Sequence, residues 1–375
     1  MICILQCKHF TARIIFMRPR MNVFITTSKK SLHLAYPAIV SLFEHNQDSE
    51  VFLYIASEDL VQEDIEAESE QASRYGHHII ICSFDEEACR KQIVSSDSEH
   101  WPVGAMSCYW MFHELLPQEV ERILAIEADT VTTGSLREFY EIDLEGSYAA
   151  CPDPEHKPLN HKNVMDKLQG DLLTFVGSVY DVKKIRDDFS LQDILQMDGE
   201  ISKKYGQSQM ELTFGVLFRG KIKYIPAPLY SIEENRHFVE RFGYDYMKEC
   251  EETCKLLHFS STGDKEKPWN PTNIMPGYLY WWDYARKSPY YKKYFEEQWK
   301  IYERQKEKNA ALKKNISYRN ILIVTIILML VLDIIVMGAI LREWYVIPLM
   351  IALGAGAFAG AVLIRKILSV LHRES

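Results

Sequence analysis

No GxGxxG segment and no GxxxxGK[ST] loop occurs in the chain, although it carries 17 glycines. That absence disfavours a nicotinamide dehydrogenase or a Walker-type ATPase, both of which need backbone that closely cradles phosphate. An excess of positive charge is also missing: 43 lysines and arginines stand against 52 acids, a net charge of −9. A nucleic-acid partner is disfavoured on that ground, because backbone phosphates demand clustered cations. None of the eight cysteines, at positions 3, 7, 82, 89, 108, 151, 250 and 254, forms a CxxC pair. Scattered cysteines in a chain of this size fit reduced thiols in a cytosolic setting. Cys250 and Cys254 share a helical spacing, read as packing rather than zinc ligation because further ligands are not nearby. The first twenty residues lack acids, but Lys8, His9 and Arg13 interrupt them and no small-residue cleavage site follows. They read as an N-terminal extension, 1–20, and not as a signal peptide. No internal repeat or low-complexity tract is found.

What the chain does have in abundance is apolar sequence at its far end. Residues 321–341 and 345–364 are each close to the ~20 residues of a bilayer span, with only Arg342, Glu343 and Trp344 between them. This predicts a transmembrane hairpin over 320–368. Lys306, Lys308, Lys313, Lys314 and Arg319 precede it, and Arg365, Lys366 and Arg373 follow it. The positive-inside rule then places both flanks, the soluble domain and both termini in the cytoplasm, with 369–375 as a short tail. Asp333 within the first span reads as a structural pairing. The small residues of GAGAFAGA, 354–361, permit close helix approach, either as the hairpin's own seam or as a homo-oligomer contact.

From Asn22 onward, NVFITT, AYPAIVSLFEH, VFLYIAS, an acidic helix over Glu63–Arg74 and HIIICS give a βαβαβ rhythm. That is the pattern of a parallel sheet with helices on its faces, here one α/β domain over 21–283. A helix over 105–115 and a strand RILAIE follow, and then the shorter β-like runs SYAACPD, LLTFVGSVYDV, KIKYIPAPLYS and KLLHFSS. Residues 284–319 are highly charged and read as a solvated or membrane-surface linker helix. Ligands bind outside the carboxyl ends of strands in open α/β sheets, so Thr26, Thr27 and Ser28 should share a crevice with Glu127–Asp129. Two carboxylates one residue apart at a strand end suit a hard divalent cation such as Mn²⁺ or Mg²⁺, although the same spacing occurs in ordinary turns.

The stretch ELLPQEVERILAIEADTVTTGSL, 114–136, resembles the helix, strand and DxD segment of the family 8 glycosyltransferases, the retaining group that includes glycogenin and bacterial lipopolysaccharide galactosyltransferases. MNVFITTS with AIVSLFEHN is similar to the family's first strand and helix. GKIKYIP, 220–226, and LLHFSSTGDKEKPW, 256–269, resemble its late strand and its closing HFSG and KPW elements. The resemblance runs from about Met21 to Trp269. It implies a Rossmann-like, GT-A type domain that binds a nucleotide sugar, with UDP the expected nucleotide. It also implies that Glu127, Asp129 and His258 hold Mn²⁺ (or Mg²⁺). Lys267 would contact the diphosphate and stabilise the leaving group, Gly263 would approach phosphate through its backbone, and Thr26, Thr27, Ser28 and Ala128 would meet the nucleotide.

The sequence departs from the family pattern at the donor site. Ser28, Lys29 and Ser31 stand where two aspartates and a tyrosine are usual, and Tyr109 stands where an arginine is usual. Thr174, Phe175 and Val176 replace NSG. Met210, Glu211 and Leu212 replace DQD, leaving Glu211 or Gln209 nearest the sugar, and three extra residues separate HFS from KPW. Two readings follow. One is a membrane-tethered hexosyltransferase that acts with retention on a cell-envelope glycan or lipid-linked acceptor. The other is a binding or scaffold protein of the same fold, without catalysis.

Overall fold

A computed structural model describes residues 18–93, 107–153, 159–205, 210–226, 231–233, 239, 242–260, 267–270, 277–341 and 354. Two compact units are present, Met1–Tyr302 and Glu303–Ser375. In the first, seven strands form one sheet: β1 (Arg20–Thr26), β2 (Glu50–Ser57), β3 (His78–Ser83), β4 (Arg122–Ala125), β6 (Ala149–Pro152), β7 (Ser178–Asp181) and β8 (Ile222–Ile225). Their order is β3-β2-β1-β4-β7-β6-β8. A second sheet holds β5 (Thr130–Thr132), β9 (Ser231–Glu233) and β10 (Leu256–His258) in the order β5-β10-β9.

Strands β1 to β4 pair in parallel, as the alternating strand and helix pattern predicts. Because helices cover both faces, these strands carry apolar residues on both sides. Val23, Ile25, Leu53 and Ile55 pack with Ile39, Leu42 and Phe43 of the helix Leu32–His45. Phe24 and Tyr54 face the opposite side, among Tyr109, Trp110 and Phe112. Removing one such side chain costs a core of this kind ~2–5 kcal/mol.

The structure differs from the sequence expectation in four places. Strand β7 runs antiparallel to both β4 and β6, so the sheet is mixed. Only Ser178–Asp181 of the expected run LLTFVGSVYDV is strand, because the chain turns at Gly177, whose φ of 70° is a left-handed value that favours glycine. The domain begins before Met21: β1 starts at Arg20, and the Arg18 guanidinium donates to the carbonyls of Tyr75 (2.9 Å) and Gly76 (2.6 Å). Finally, the charged stretch from 284 is core for its first two turns and beyond. Tyr284, Ala285, Phe295 and Tyr302 are buried, and Trp282 packs on Trp299 with ring centroids 5.2 Å apart. Aromatic side chains spaced along the helices Tyr278–Lys287 and Glu296–Leu341 bury against each other while the charges face outward.

Residues 303–341 of the second unit lie within the helix Glu296–Leu341. Ile321, Val324, Leu328, Met329, Leu330, Val331, Leu332 and Ile335 are exposed on it. Among the described residues, no helix is long and apolar enough to cross a membrane. Several side chains of the first expected span, 321–341, lie outside the described residues, as does the second span, 345–364, apart from Gly354. Among the described residues, Cys82, Cys89, Cys108, Cys151, Cys250 and Cys254 are buried and joined by no disulfide.

Candidate active site

The chain leaves the large sheet at Ala125 and enters the small one at Thr130, and Glu127, Ala128 and Asp129 are the crossing. A tight turn fixes them: the backbone N–H and the hydroxyl of Thr130 both donate to the Glu127 carbonyl, at 3.2 and 2.8 Å. The antiparallel register of β5 and β10 sets His258 opposite Thr130, and the Phe259 N–H donates to the Asp129 carbonyl at 2.9 Å. Backbone pairing therefore delivers the imidazole to the acids. His258 Nε2 lies 3.6 Å from Glu127 Oε2 and 3.6 Å from Asp129 Oδ1.

Asp129 and His258 are 4% and 6% exposed, whereas the Glu127 side chain keeps 38% of its surface open. The Lys267 ammonium contacts Asp129 Oδ2 and also donates to the Phe259 carbonyl at 3.3 Å. Burial works to raise the Asp129 carboxyl, but the adjacent Lys267 and His258 outweigh it, so the group titrates below its ordinary range. One carboxylate oxygen thus faces the lysine and the other faces the histidine. Ligand atoms of Glu127, Asp129 and His258 all fall within 4.8 Å of one another. Two ligands ~2.1 Å from one ion stand ~3.0 Å apart at right angles and ~4.2 Å apart when opposed, so the 3.6 Å separations fit a shared divalent cation.

Glu127, Asp129 and Lys267 line a cavity of about 550 Å³ together with Thr26, Thr27, Ser28 and Ala128. The crevice at the ends of β1 and β4 thus brings together the predicted residues of both strands. Thr26 Oγ1 lies 3.0 Å from Ser107 Oγ, and the Ser28 hydroxyl donates to Ser31 Oγ at 3.3 Å. Thr27 is 7% exposed, and its hydroxyl has no partner among the described residues.

Other predicted residues stand elsewhere. Glu211 is not among the cavity-lining side chains; it lies on the helix Met210–Leu217, where its carboxylate accepts the Phe175 N–H at 3.0 Å. Phe175 itself lines the cavity. Tyr109 is buried in the core and donates to Asp198 Oδ1 at 2.7 Å, which also accepts from Thr213 at 3.2 Å. Thr174 is buried, and its carbonyl accepts from the Ser178 hydroxyl. Gln209 and Gly263 lie outside the described residues. Residues the sequence reading missed are Ser57, Glu58, Phe84, Glu86 and Arg90, which line the same cavity from the ends of β2 and β3. The strand-end rule would have found them had it been carried across to the neighbouring strands.

A family model described as glycosyl transferase family 8 matches residues 22–273. Among solved structures, the galactosyltransferase LgtC, crystallised with donor and acceptor sugar analogues, is 15% identical. The match covers 72% of this chain and 96% of that one with a TM-score of 0.57. The glycosyltransferase GlyE of Streptococcus pneumoniae is 17% identical, with 71% and 60% covered and a TM-score of 0.53. The bifunctional glycosyltransferase WbbM is 15% identical, with 77% and 52% covered and a TM-score of 0.56. These likenesses establish a shared GT-A-like fold. No curated protein matches the chain in sequence.

Proposed function

This chain belongs to glycosyl transferase family 8, and on that premise we propose that it transfers a hexose from a nucleotide sugar to a glycan or lipid-linked acceptor with retention of configuration. The observation that carries the proposal is the convergence of Glu127, Asp129 and Lys267 on one cavity at the ends of β1 and β4, with His258 Nε2 3.6 Å from both acids. Two carboxylates favour Mn²⁺ or Mg²⁺, and the imidazole tips the set toward Mn²⁺. Such an ion, when bound, supplies charge that neutralises a diphosphate.

Breaking the bond between a sugar and a diphosphate sends an electron pair onto the leaving oxygen. Lys267 sits where its ammonium can turn from Asp129 toward that oxygen, and a positioned cation of this kind lowers the barrier selectively at the transition state. In the proposed step the acceptor hydroxyl attacks the anomeric carbon on the face that the diphosphate leaves. The new C–O bond forms as the old one breaks, and the hydroxyl proton passes to the departing phosphate. Glu211, engaged with the Phe175 N–H, supports this front-face course over a covalent glycosyl intermediate on that carboxylate. UDP remains the expected nucleotide.

Membrane attachment is part of the proposal. It is supported by the apolar sequence of 321–341 and 345–364 and by the exposed Ile321, Leu328, Met329 and Leu332. A reporter fused at residue 150 should read cytoplasmic, and alkaline carbonate should fail to extract the full chain; release by carbonate sinks the tether.

The decisive experiment is hydrolysis or transfer from a panel of nucleotide sugars with and without Mn²⁺, followed by NMR of the product's anomeric centre. An inverted product overturns the retaining course. A second reading, a scaffold without catalysis, is favoured by one observation: Tyr109 is committed to Asp198 inside the core. Under that reading Glu127→Ala leaves function in cells intact, whereas the enzyme reading requires its loss.

A further inference from the structure

The two oxygens of the Asp129 carboxylate are engaged differently. Oδ1 lies 3.6 Å from His258 Nε2, and the same nitrogen stands 3.6 Å from Glu127 Oε2. Oδ2 is taken by the Lys267 ammonium. Lys267 is anchored a second time, since its ammonium also donates to the Phe259 carbonyl at 3.3 Å, and the Phe259 N–H donates to the Asp129 carbonyl at 2.9 Å. The Asp129 and Lys267 side chains keep 6% and 17% of their surface open. Pulling the carboxylate off the ammonium therefore leaves a largely buried charge uncompensated, which is costly.

This asymmetry bears on which ion the trio accepts. Mg²⁺ and Mn²⁺ favour octahedral sites, in which one oxygen from each carboxylate serves. Ca²⁺ gathers about six to eight oxygens and often engages a carboxylate through both of them. Glu127, Asp129 and His258 each offer one atom, all within 4.8 Å of one another. Such a set suits the smaller ion and leaves the larger one short of oxygen. The oxygen that Asp129 could add is the one Lys267 holds. We propose that Lys267 selects the metal: by occupying Oδ2 it confines Asp129 to a single ligand atom and so biases the donor-free site toward Mn²⁺ or Mg²⁺ and against Ca²⁺. The inference rests on the metal-dependent glycosyltransferase reading and adds to it the residue that discriminates between ions. It is separate from the part Lys267 plays at the leaving oxygen, because it concerns the site before a diphosphate draws the ammonium away.

The test titrates the full chain in detergent, without nucleotide, with Mn²⁺ and with Ca²⁺. The wild type should bind Mn²⁺ more tightly than Ca²⁺. Lys267→Met removes a nearby positive charge and so tightens both ions, but Ca²⁺ should gain about tenfold more than Mn²⁺ because it alone uses the freed oxygen. A second measurement counts ligands directly. Tb³⁺, standing in for Ca²⁺, reports its bound water through its luminescence lifetime, and the variant should hold about one water fewer than the wild type as Oδ2 replaces it. An equal gain for both ions overturns the assignment, because the lysine would then act through charge alone. An unchanged Tb³⁺ water count overturns it too, as does a wild type that prefers Ca²⁺. Loss of Mn²⁺ binding in the variant also overturns it, since the lysine would then build the site instead of restricting it. Each of these results leaves the glycosyltransferase reading standing. If the wild type binds neither Mn²⁺ nor Ca²⁺, the metal-dependent reading falls and this inference with it.

Discussion

The candidate metal-binding trio and the positions that depart from the family pattern are built in contrasting ways. Glu127, Asp129 and His258 are placed by backbone: a turn closed on the Glu127 carbonyl and a strand pair in fixed register. The positions Ser28, Tyr109 and Thr174 depend on side-chain choice: Ser28 lines the cavity and donates to Ser31, whereas Tyr109 and Thr174 are buried, Tyr109 against Asp198. A site set by strand register tolerates drift in the surrounding sequence, whereas positions set by side chains change with each substitution. The contrast explains how one chain keeps a candidate metal-binding trio while its sequence departs from the family pattern at Ser28, Tyr109 and Thr174.

The strongest way to break this contrast is to remove the shared ligand. Asp129→Asn should weaken Mn²⁺ binding by at least about 100-fold, since loss of even an outer-shell partner costs ~10–100-fold, and should take transfer to background. Titration calorimetry with Mn²⁺ checks it. Next in size, Lys267→Met should lower kcat by roughly 10²–10³-fold, the effect of losing one positioned stabiliser. Metal binding should persist, and a KM that rises with kcat unchanged would mean that the lysine only binds substrate. At the departing positions, Tyr109→Phe removes one hydrogen bond from buried Asp198 and should cost ~1–3 kcal/mol in denaturant unfolding. Mn²⁺ affinity should stay the same, and a change in it would show that Tyr109 is coupled to the candidate metal ligands.

The smallest effect lies far from the cavity. Glu68 is fully buried beside Tyr290, whose hydroxyl donates to it at 3.1 Å, and burial pushes its carboxyl up to about 7. Between its ordinary value of 4.5 and about 7, the folded state holds a proton that the unfolded state has lost. Stability from this group is therefore present at low pH and falls as pH rises through that window. Glu68→Gln should flatten the decline in Tm between pH 5 and pH 8, and an unchanged slope would contradict the assignment.

Much of the first half was legible because its strands are long. The runs NVFITT, VFLYIAS and HIIICS became β1, β2 and β3, and the acids after ILAI became the crossing between sheets. Of the small sheet only β10, inside the β-like run KLLHFSS, was legible; β5 and β9 were not, since strands of three residues carry too little alternation to stand out from loop. His258 entered only through resemblance, because a lone histidine at a strand end has no local signature and its role arises from pairing with β5. Glu58 and Glu86 look like surface acids, and only the lateral order of β3-β2-β1-β4 brings them to the cavity. The aromatic core around Trp281 and Trp282 was hidden by the lysines and glutamates between its members.

The strand pair that completes the metal-binding trio also sets when it can exist. Asp129 and Lys267 are 138 residues apart in the chain. At about 5–20 residues per second of synthesis, roughly 7 to 28 seconds separate the appearance of the acid from that of the lysine. During translation the nascent chain carries its two carboxylates without imidazole or ammonium, so a divalent cation finds half a binding site. The complete set of candidate ligands exists only once the late strand β10 has paired with β5.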